Sequence, residues 1–159
     1  LFALDNLWDG IGGLIATDPT VKYLSGKVTI YSTSPEMSRK AMVYYLDMSF
    51  GDREGLITSK NPETCTPEQA AFFKEMFTGA DYKENYAILN NYVKSLGDTI
   101  PPFIHLYIGL SPTMKTFGTT FDPDFGDCYD TAMIITAADI YPDKYKRYVE
   151  SYEKCKVRK

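Results

Sequence analysis

The sequence has few of the residues that bind metal ions or form disulfides. Its 159 residues include one histidine, His105, and three cysteines. Cys65, Cys128 and Cys155 lie far apart and form no Cys-X-X-Cys pair, so a zinc site would need distant ligands and we expect no metal. An odd number of widely spaced cysteines favours free thiols in a reducing compartment, and therefore a cytoplasmic location.

Positive charge and long apolar runs are also scarce. Seventeen Lys and Arg against twenty-one Asp and Glu give a net charge of −4. This balance argues against a general nucleic-acid-binding protein, because neutralising phosphates requires a basic face. No run approaches the roughly 20 apolar residues of a membrane-spanning helix, and no cationic and then apolar signal segment is present.

What remains is a globular composition. Hydrophobic residues make up 44% of the chain and aromatic residues 14%, which is enough for a sizeable core. The length corresponds to one domain. The chain starts at Leu1, inside a pattern that predicts a helix, so we expect it to be part of something longer.

Local patterns predict an alternation of helices and strands. Apolar spacing, caps and turn residues mark the boundaries, and Thr66-Pro67-Glu68-Gln69 is a capping box with proline at the first helical position. The predicted segments are a helix over 4–15, a strand near 27–31, a helix that Ser34 caps and that runs to Phe50, helices that start at Thr66 and Asp81, strands near 115–121 and 130–136, and a final helix from Pro142.

The C-terminal segment is basic. Residues 142–159 contain seven Lys and Arg against three Asp and Glu, a local charge of +4, so the rest of the chain carries −8. A solvated end explains this charge most simply. The alternative is a docking site for an acidic partner, such as an acyl carrier protein, or a peripheral contact with an anionic membrane surface.

A cluster of acidic residues follows the second predicted strand. Asp122, Asp124, Asp127 and Asp130 lie within nine residues, and charges this close repel one another. The spacing does not match a calcium-binding loop, because Met133 stands where the last acidic ligand would be. Two interpretations stay open: a turn held by side-chain-to-backbone hydrogen bonds, or a site for an amine substrate or a general base.

His105 and the cysteines are weaker candidates for chemistry. His105 follows a double proline inside an apolar run, where a histidine is either a hydrogen-bonded core residue or a catalyst. No base adjoins the cysteines in the sequence, which disfavours a nucleophilic role. The sequence also lacks a nucleophile-elbow motif.

A set of motifs, in a fixed order, carries a family resemblance. They are Leu7-Trp8-Asp9-Gly10-Ile11, Tyr23-Leu24-Ser25-Gly26, Ile100-Pro101-Pro102-Phe103, Phe117-Gly118-Thr119, Asp122-Pro123-Asp124-Phe125-Gly126 and the helix with Tyr145, Arg147 and Tyr148. This order resembles the hemolysin-like branch of the GNAT N-acyltransferase superfamily, whose enzymes N-acylate ornithine or glycine in bacterial aminolipid synthesis. The resemblance covers most of the chain and weakens over 51–80.

The resemblance implies an α/β fold with a mixed sheet flanked by helices. It places residues 1–159 in the C-terminal portion of one such domain, without the N-terminal strands and the loop that binds the cofactor pyrophosphate. The implied activity moves a fatty acyl group from an acyl carrier protein or coenzyme A thioester to the amine of a small amino acid. The thioester is then a substrate, and no cofactor is permanently bound.

The resemblance also implies site residues. Ala41-Met42-Val43-Tyr44-Tyr45 through Phe50 is similar to the family's fourth helix, which puts the acid for the leaving thiolate on Tyr45, although Ser49 stands where glycine is usual. The predicted roles are catalytic for Tyr45, His105 and Asp124, substrate-binding for Asp122, Asp127 and Tyr107, and cofactor-binding for Gly10, Thr29 and Tyr31.

Two further expectations concern the acyl chain and the rival function. The apolar segments 14–15 and 103–110 either line a pocket for the acyl chain or belong to the ordinary core. The alternative to an acyltransferase is a non-catalytic module that binds an acyl group or a carrier protein. A hydrolase has no motif in its favour.

Overall fold

The protein has an α/β architecture, as the sequence predicts. A computed structural model describes the backbone of residues 2–152 and the side chains of residues 6–152. The helices are α1 (Phe2–Thr17), α2 (Glu36–Phe50), α3 (Pro67–Met76), α4 (Tyr82–Ser95), α5 (Pro102–Ile108) and α6 (Pro142–Tyr145), and the strands are β1 (Tyr23–Ile30), β2 (Lys115–Asp122) and β3 (Cys128–Thr136). A π-helical turn, Lys146–Glu150, continues α6. None of the helices in the described part of the chain is long and apolar enough to cross a membrane.

The three strands form an antiparallel sheet in the order β1-β3-β2. For the described residues, the expectation of a mixed sheet is therefore wrong. A short turn joins β2 to β3, and two strands joined in this way run in opposite directions. β1 pairs with β3 so that Thr29 lies near Asp130 and Lys22 near Ala137, which is also the antiparallel sense. An isolated parallel bridge joins Gly51 to Thr116.

The helix starts follow local capping chemistry in two of the three predicted cases. Thr66 accepts a hydrogen bond from the Gln69 backbone N–H at 3.2 Å, and the Gln69 side chain accepts one from the Thr66 N–H at 3.0 Å. Asp81 accepts from two backbone N–H groups at the start of α4. Ser34 does not cap α2, because Pro35 takes an extended conformation and occupies the cap position without a side-chain hydrogen bond.

The chain divides into two compact units, the first comprising described residues 2–24, 106–114 and 134–152. In this unit α1 packs against the π-helical turn, and Trp8, Ile140 and Val149 are buried. A Cβ atom at Gly12 would overlap the Tyr148 carbonyl group, so glycine allows the two segments to approach closely. The predicted α1 helix is thus held by packing rather than by helix propensity.

The second unit comprises residues 25–105 and 115–133. Its centre is α2, which packs against α3, α4 and β2. Met42, Tyr45 and Leu46 on α2 are fully buried, with Phe73 of α3 and Leu89 of α4 against the same core. This unit contains most of the aromatic residues that contact one another.

Candidate functional site

A cavity with a volume of about 380 Å³ lies inside the second unit. Ligand pockets in proteins usually measure about 300–1,000 Å³, so this cavity can hold a small molecule. Its walls are α2, the segment 62–65, the first turn of α3, and strands β2 and β3. The lining residues are Val43, Tyr44, Leu46, Asp47, Pro62, Glu63, Thr64, Cys65, Ala70, Thr116, Gly118, Thr119 and Thr131.

The pocket expected from the apolar segments is much smaller. In the first unit, Ile15 and Leu110 line a void of about 10 Å³, which holds at most about one water molecule. Leu14 is exposed, and Phe103 is partly exposed. The cavity of about 380 Å³ is therefore formed by other residues than the segments 14–15 and 103–110.

Three threonine hydroxyls and the thiol at the cavity are bonded to protein atoms. The Thr116 hydroxyl donates to the Leu46 carbonyl at 3.3 Å, and the Thr119 and Thr131 hydroxyls share a hydrogen bond of 2.7 Å. The Cys65 thiol donates to a backbone carbonyl of α2 at 3.7 Å. Burial raises the pKa of the Cys65 thiol, so the thiolate that a nucleophile requires is disfavoured.

The two carboxylates at the cavity also have cationic partners. Glu63 accepts from Arg39 at 3.1 Å and lies 2.9 Å from the Lys40 ammonium, and the side chains of all three are only 11–15% exposed. Asp47 is different, because its exposed carboxylate lies 3.5 Å from Arg53, which is also exposed. Asp47 therefore marks a solvent-facing edge of the cavity.

The Arg39–Lys40–Glu63 cluster has further contacts that fix the segment 62–65. The Arg39 guanidinium lies 4.1 Å from the centre of the Tyr129 ring, and Lys40 donates to the Thr64 carbonyl. Two cations and one carboxylate of low exposure form a costly arrangement unless each charge is well bonded. The cluster therefore ties α2 to the chain segment that forms one cavity wall.

Gly118 keeps the cavity-facing part of β2 free of a side chain. Its φ of +82° lies in the left-handed region, and a Cβ atom built there would meet nothing within 4 Å. Side chains other than glycine rarely adopt this conformation. The glycine of the Phe117-Gly118-Thr119 motif thus leaves open space beside β2.

Tyr45, the predicted acid, is a fully buried residue of α2. Its hydroxyl donates to the Tyr82 carbonyl at 2.9 Å. Its ring lies about 6 Å from those of Phe50, Phe77 and Tyr86. Burial in this aromatic cluster raises the pKa of Tyr45 well above that of an exposed tyrosine.

His105 and Tyr107 lie on α5 and contact other aromatic rings. His105 is exposed, and its ring lies 5.5 Å from that of Tyr86. Tyr107 makes an edge-to-face contact with Trp8 at 5.6 Å, and burial raises the pKa of its phenol. His105 is thus solvent-accessible rather than a core residue.

The acidic cluster forms a turn with internal hydrogen bonds. Asp122 caps a short 3₁₀-helix by accepting from the Asp124 backbone N–H at 3.1 Å. The Asp124 side chain is exposed, and Asp127 is exposed with a φ of 52°. Asp130 accepts from Lys27 and from Thr29, so its charge is balanced within the sheet. The hydrogen bond to Asp130 also raises the pKa of Lys27.

The residues predicted to bind the cofactor are not gathered at the cavity. Gly10 is an exposed position of α1, Tyr31 is 66% exposed, and Thr29 is bonded to Asp130. The described residues that line the large cavity include none of the nine predicted site residues. The roles of these nine residues stay predictions.

Some residues that the sequence analysis singled out lie outside the part of the chain that the structure describes. Cys155 and the last seven residues of the basic tail, 153–159, lie outside the described residues. Within the described side chains, no group of three or more His, Cys, Asp or Glu residues is placed to hold a metal ion. The sequence analysis did not identify the cavity, although it named Gly118 as part of the Phe117-Gly118-Thr119 motif.

Comparison with known proteins relates the chain to acyltransferases. It is 42% identical over 154 residues to a glycine Nα-acyltransferase of Phocaeicola vulgatus, covering 97% of this chain and 47% of that protein. It is 41% identical over 155 residues to a glycine Nα-acyltransferase of Bacteroides thetaiotaomicron, covering 96% and 45%. No family model matches the chain, and no solved structure matches it. The chain is thus a homologue of glycine Nα-acyltransferases and spans about half the length of the two relatives.

Proposed function

We propose that the protein to which this chain belongs transfers an acyl group from a thioester to the α-amine of glycine. The observation that carries the proposal is the identity of 42% along 97% of the chain with a protein of that activity. An identity of this extent favours a shared reaction. The order of motifs that resembles the hemolysin-like GNAT branch supports the same reaction class.

The proposed reaction is a direct attack on the thioester. The glycine ammonium loses one proton to a base, and the resulting amine nitrogen forms a bond to the thioester carbonyl carbon and releases its second proton. The carbon–sulfur bond then breaks, and the departing thiolate takes up a proton from an acid. Backbone N–H groups that face the carbonyl oxygen would stabilise its negative charge in the transition state. The proposed acyl donors are thioesters of the acyl group with coenzyme A or with acyl carrier protein.

The predicted roles can be stated in terms of the structure. Asp124 is exposed and is the proposed group that receives the ammonium of the acceptor. His105, which is also exposed, is a candidate for the base. Tyr45 remains the proposed acid, and to donate to a thiolate its hydroxyl would have to exchange its hydrogen bond with the Tyr82 carbonyl.

The test is an acylation assay with two products measured. The protein is incubated with glycine and with an acyl-CoA or an acyl carrier protein that carries the acyl group. The N-acylglycine is measured by mass spectrometry, and the released thiol is measured by its colour reaction. We expect both products in equal amounts, and much less product when ornithine or serine replaces glycine. Thiol release without N-acylglycine would indicate a hydrolase and contradict the proposal.

The same assay, applied to two lengths of the protein, tests whether the 159 residues are sufficient for acylation. The 159 residues alone are compared with the longest natural form of the protein. Positioning of reactants can contribute about 7–11 kcal/mol to catalysis, so a chain that lacks part of the donor site should be nearly inactive. Robust acylation by the 159 residues alone would show that they contain the whole site.

A second candidate function follows from the coverage of the relatives. Because the chain spans 47% of the Phocaeicola protein, it could keep the binding half of an acyltransferase without the chemistry. A non-catalytic module predicts binding of the acyl donor by the longest natural form of the protein, with neither N-acylglycine nor thiol produced. The acylation assay therefore separates the two functions.

A further inference from the structure

We infer that the 380 Å³ cavity of the second unit holds the alkyl chain of the acyl group, between α2 and the face of β2 and β3. The inference rests on the proposed function, because that function requires a place for an acyl chain. It assigns this place to residues that neither the relatives' activity nor the motif pattern identifies.

The first argument is that most of the polar side chains of the cavity, though not the hydroxyls of Tyr44 and Thr64, bond to protein atoms. Thr116, Thr119 and Thr131 direct their hydroxyl hydrogen bonds to protein atoms. The Glu63 carboxylate is engaged by two cations. A polar ligand needs unsatisfied donors and acceptors in its pocket, whereas an alkyl chain needs none.

The second argument is the apolar character of the remaining surface. The lining includes side chains with only carbon atoms facing the space, together with the glycine that leaves β2 bare. These residues are Val43, Leu46, Pro62, Ala70 and Gly118. Burying methylene groups against such a surface is favourable, at about fourfold in affinity for each methylene.

The third argument is size. A methylene group fills roughly the 30 Å³ that a water molecule fills in the liquid, so a cavity of about 380 Å³ accommodates on the order of ten methylenes. Glycine has five heavy atoms and two charges, and it would leave most of this space empty. The cavity opens to solvent at its exposed lining residues Asp47, Pro62, Thr64 and Gly118, and this opening suits the end of the chain that carries the thioester.

Two neighbouring alanines of α3 offer a matched test. Ala70 lines the cavity and is half-buried, whereas Ala71 is exposed and does not line it. An apolar cavity of about 150 Å³ holds one benzene, so the phenyl ring of Ala70→Phe would fill roughly a third of the space. Ala71→Phe introduces the same ring on the same helix, outside the cavity.

The first experiment measures kcat/KM of the protein for saturated acyl-CoA donors of 6 to 18 carbons, with glycine in excess. We expect Ala70→Phe to shift the preferred chain by about four carbons toward shorter donors and to lower kcat/KM for the longest donors at least tenfold. Ala71→Phe should keep the wild-type profile within twofold. If both variants keep the wild-type profile while glycine is still acylated, the cavity assignment is wrong and the proposed function stands.

The second experiment does not depend on catalysis. Thermal melts are recorded with free saturated fatty acids of 8 to 16 carbons. We expect stabilisation of the wild type that increases with chain length up to the cavity limit, and loss of this increase in Ala70→Phe alone. Chain-length-dependent stabilisation without acylation would refute the proposed function and keep the cavity assignment. Equal melts with and without fatty acid in the wild type would overturn the assignment.

Failure to fold would be seen in the melts themselves. If Ala70→Phe does not unfold cooperatively, Ala70→Leu provides the smaller substitution, with an expected shift of about two carbons. A cooperative Ala70→Leu protein with an unchanged donor profile would also overturn the assignment.

Discussion

The substitution Glu63→Gln tests whether the charged cluster beside the cavity holds the second unit together. Glu63 is the carboxylate shared by Arg39 and Lys40, and the three side chains are 11–15% exposed. Replacing it with glutamine keeps the size but leaves two poorly hydrated cations without an anion. Removing one partner of a buried ion pair costs about 3–5 kcal/mol.

Other contacts in the cluster reduce this cost. Arg39 retains the Tyr129 ring, Lys40 retains the Thr64 carbonyl, and the new amide oxygen can still accept one hydrogen bond. We therefore expect a loss of about 2–4 kcal/mol in the free energy of unfolding. For a protein of this length, about 2–4 °C of melting temperature corresponds to 1 kcal/mol, which gives a decrease of roughly 5–15 °C.

The measurement is a thermal melt beside a matched control, Glu54→Gln. Glu54 also pairs with a lysine, Lys115, but its side chain is 63% exposed and does not line the cavity. Exposed pairs contribute about 0–1 kcal/mol, so the control should melt within about 3 °C of the wild type. If both variants melt within that range, the cluster contributes no more than a surface ion pair and the reasoning is refuted.

Two further predictions concern Tyr45 and Asp124. As the predicted acid, Tyr45→Phe should lower turnover about 10²–10⁴-fold with donor affinity unchanged. The lost hydrogen bond to Tyr82 should reduce stability by about 1 kcal/mol, and lower stability with unchanged turnover would indicate a packing role only. Because burial raises the pKa of Tyr45, folding favours its neutral form. This stabilisation is complete below about pH 10 and is lost as the pH rises further, so melts between pH 9 and 11.5 should decline less steeply for Tyr45→Phe than for the wild type. Asp124→Asn should raise the KM for glycine about fivefold and leave the melt unchanged, because Asp124 supplies only its backbone N–H to the Asp122 cap. An unchanged KM for glycine would leave the acidic cluster as a turn.

Local chemistry made the helix starts at Thr66 and Asp81 predictable. In both cases the capping side chain bonds to backbone atoms within three residues, so the signal lies in a short window of sequence. Ser34 also had the correct residue type for a cap. The prediction that Ser34 caps α2 was wrong because Pro35 adopts an extended conformation and occupies the cap position. A short sequence pattern does not specify this conformation.

The cavity could not be predicted because its walls come from distant parts of the chain. Leu46 and Thr116 are bonded across 70 residues, and Lys40 reaches Thr64 across 24 residues. Spacing and periodicity describe neighbours along the chain, not partners of this kind. The segments 14–15 and 103–110 were predicted either to line an acyl pocket or to belong to the core, and the large cavity is instead lined by residues such as Ala70 and Gly118.

The order of strands has a consequence for the time course of folding. β1 pairs with β3. The partner of Lys27 and Thr29 is Asp130, which lies 103 and 101 residues further along the chain. At a synthesis rate of about 5–20 residues per second, β1 waits roughly 5–20 s on the ribosome for its partner. During this interval Val28 and Ile30, which are buried in the finished sheet, are still exposed. The helices α2, α3 and α4 are already synthesised by then, so we expect helix–helix contacts to form before the sheet is complete.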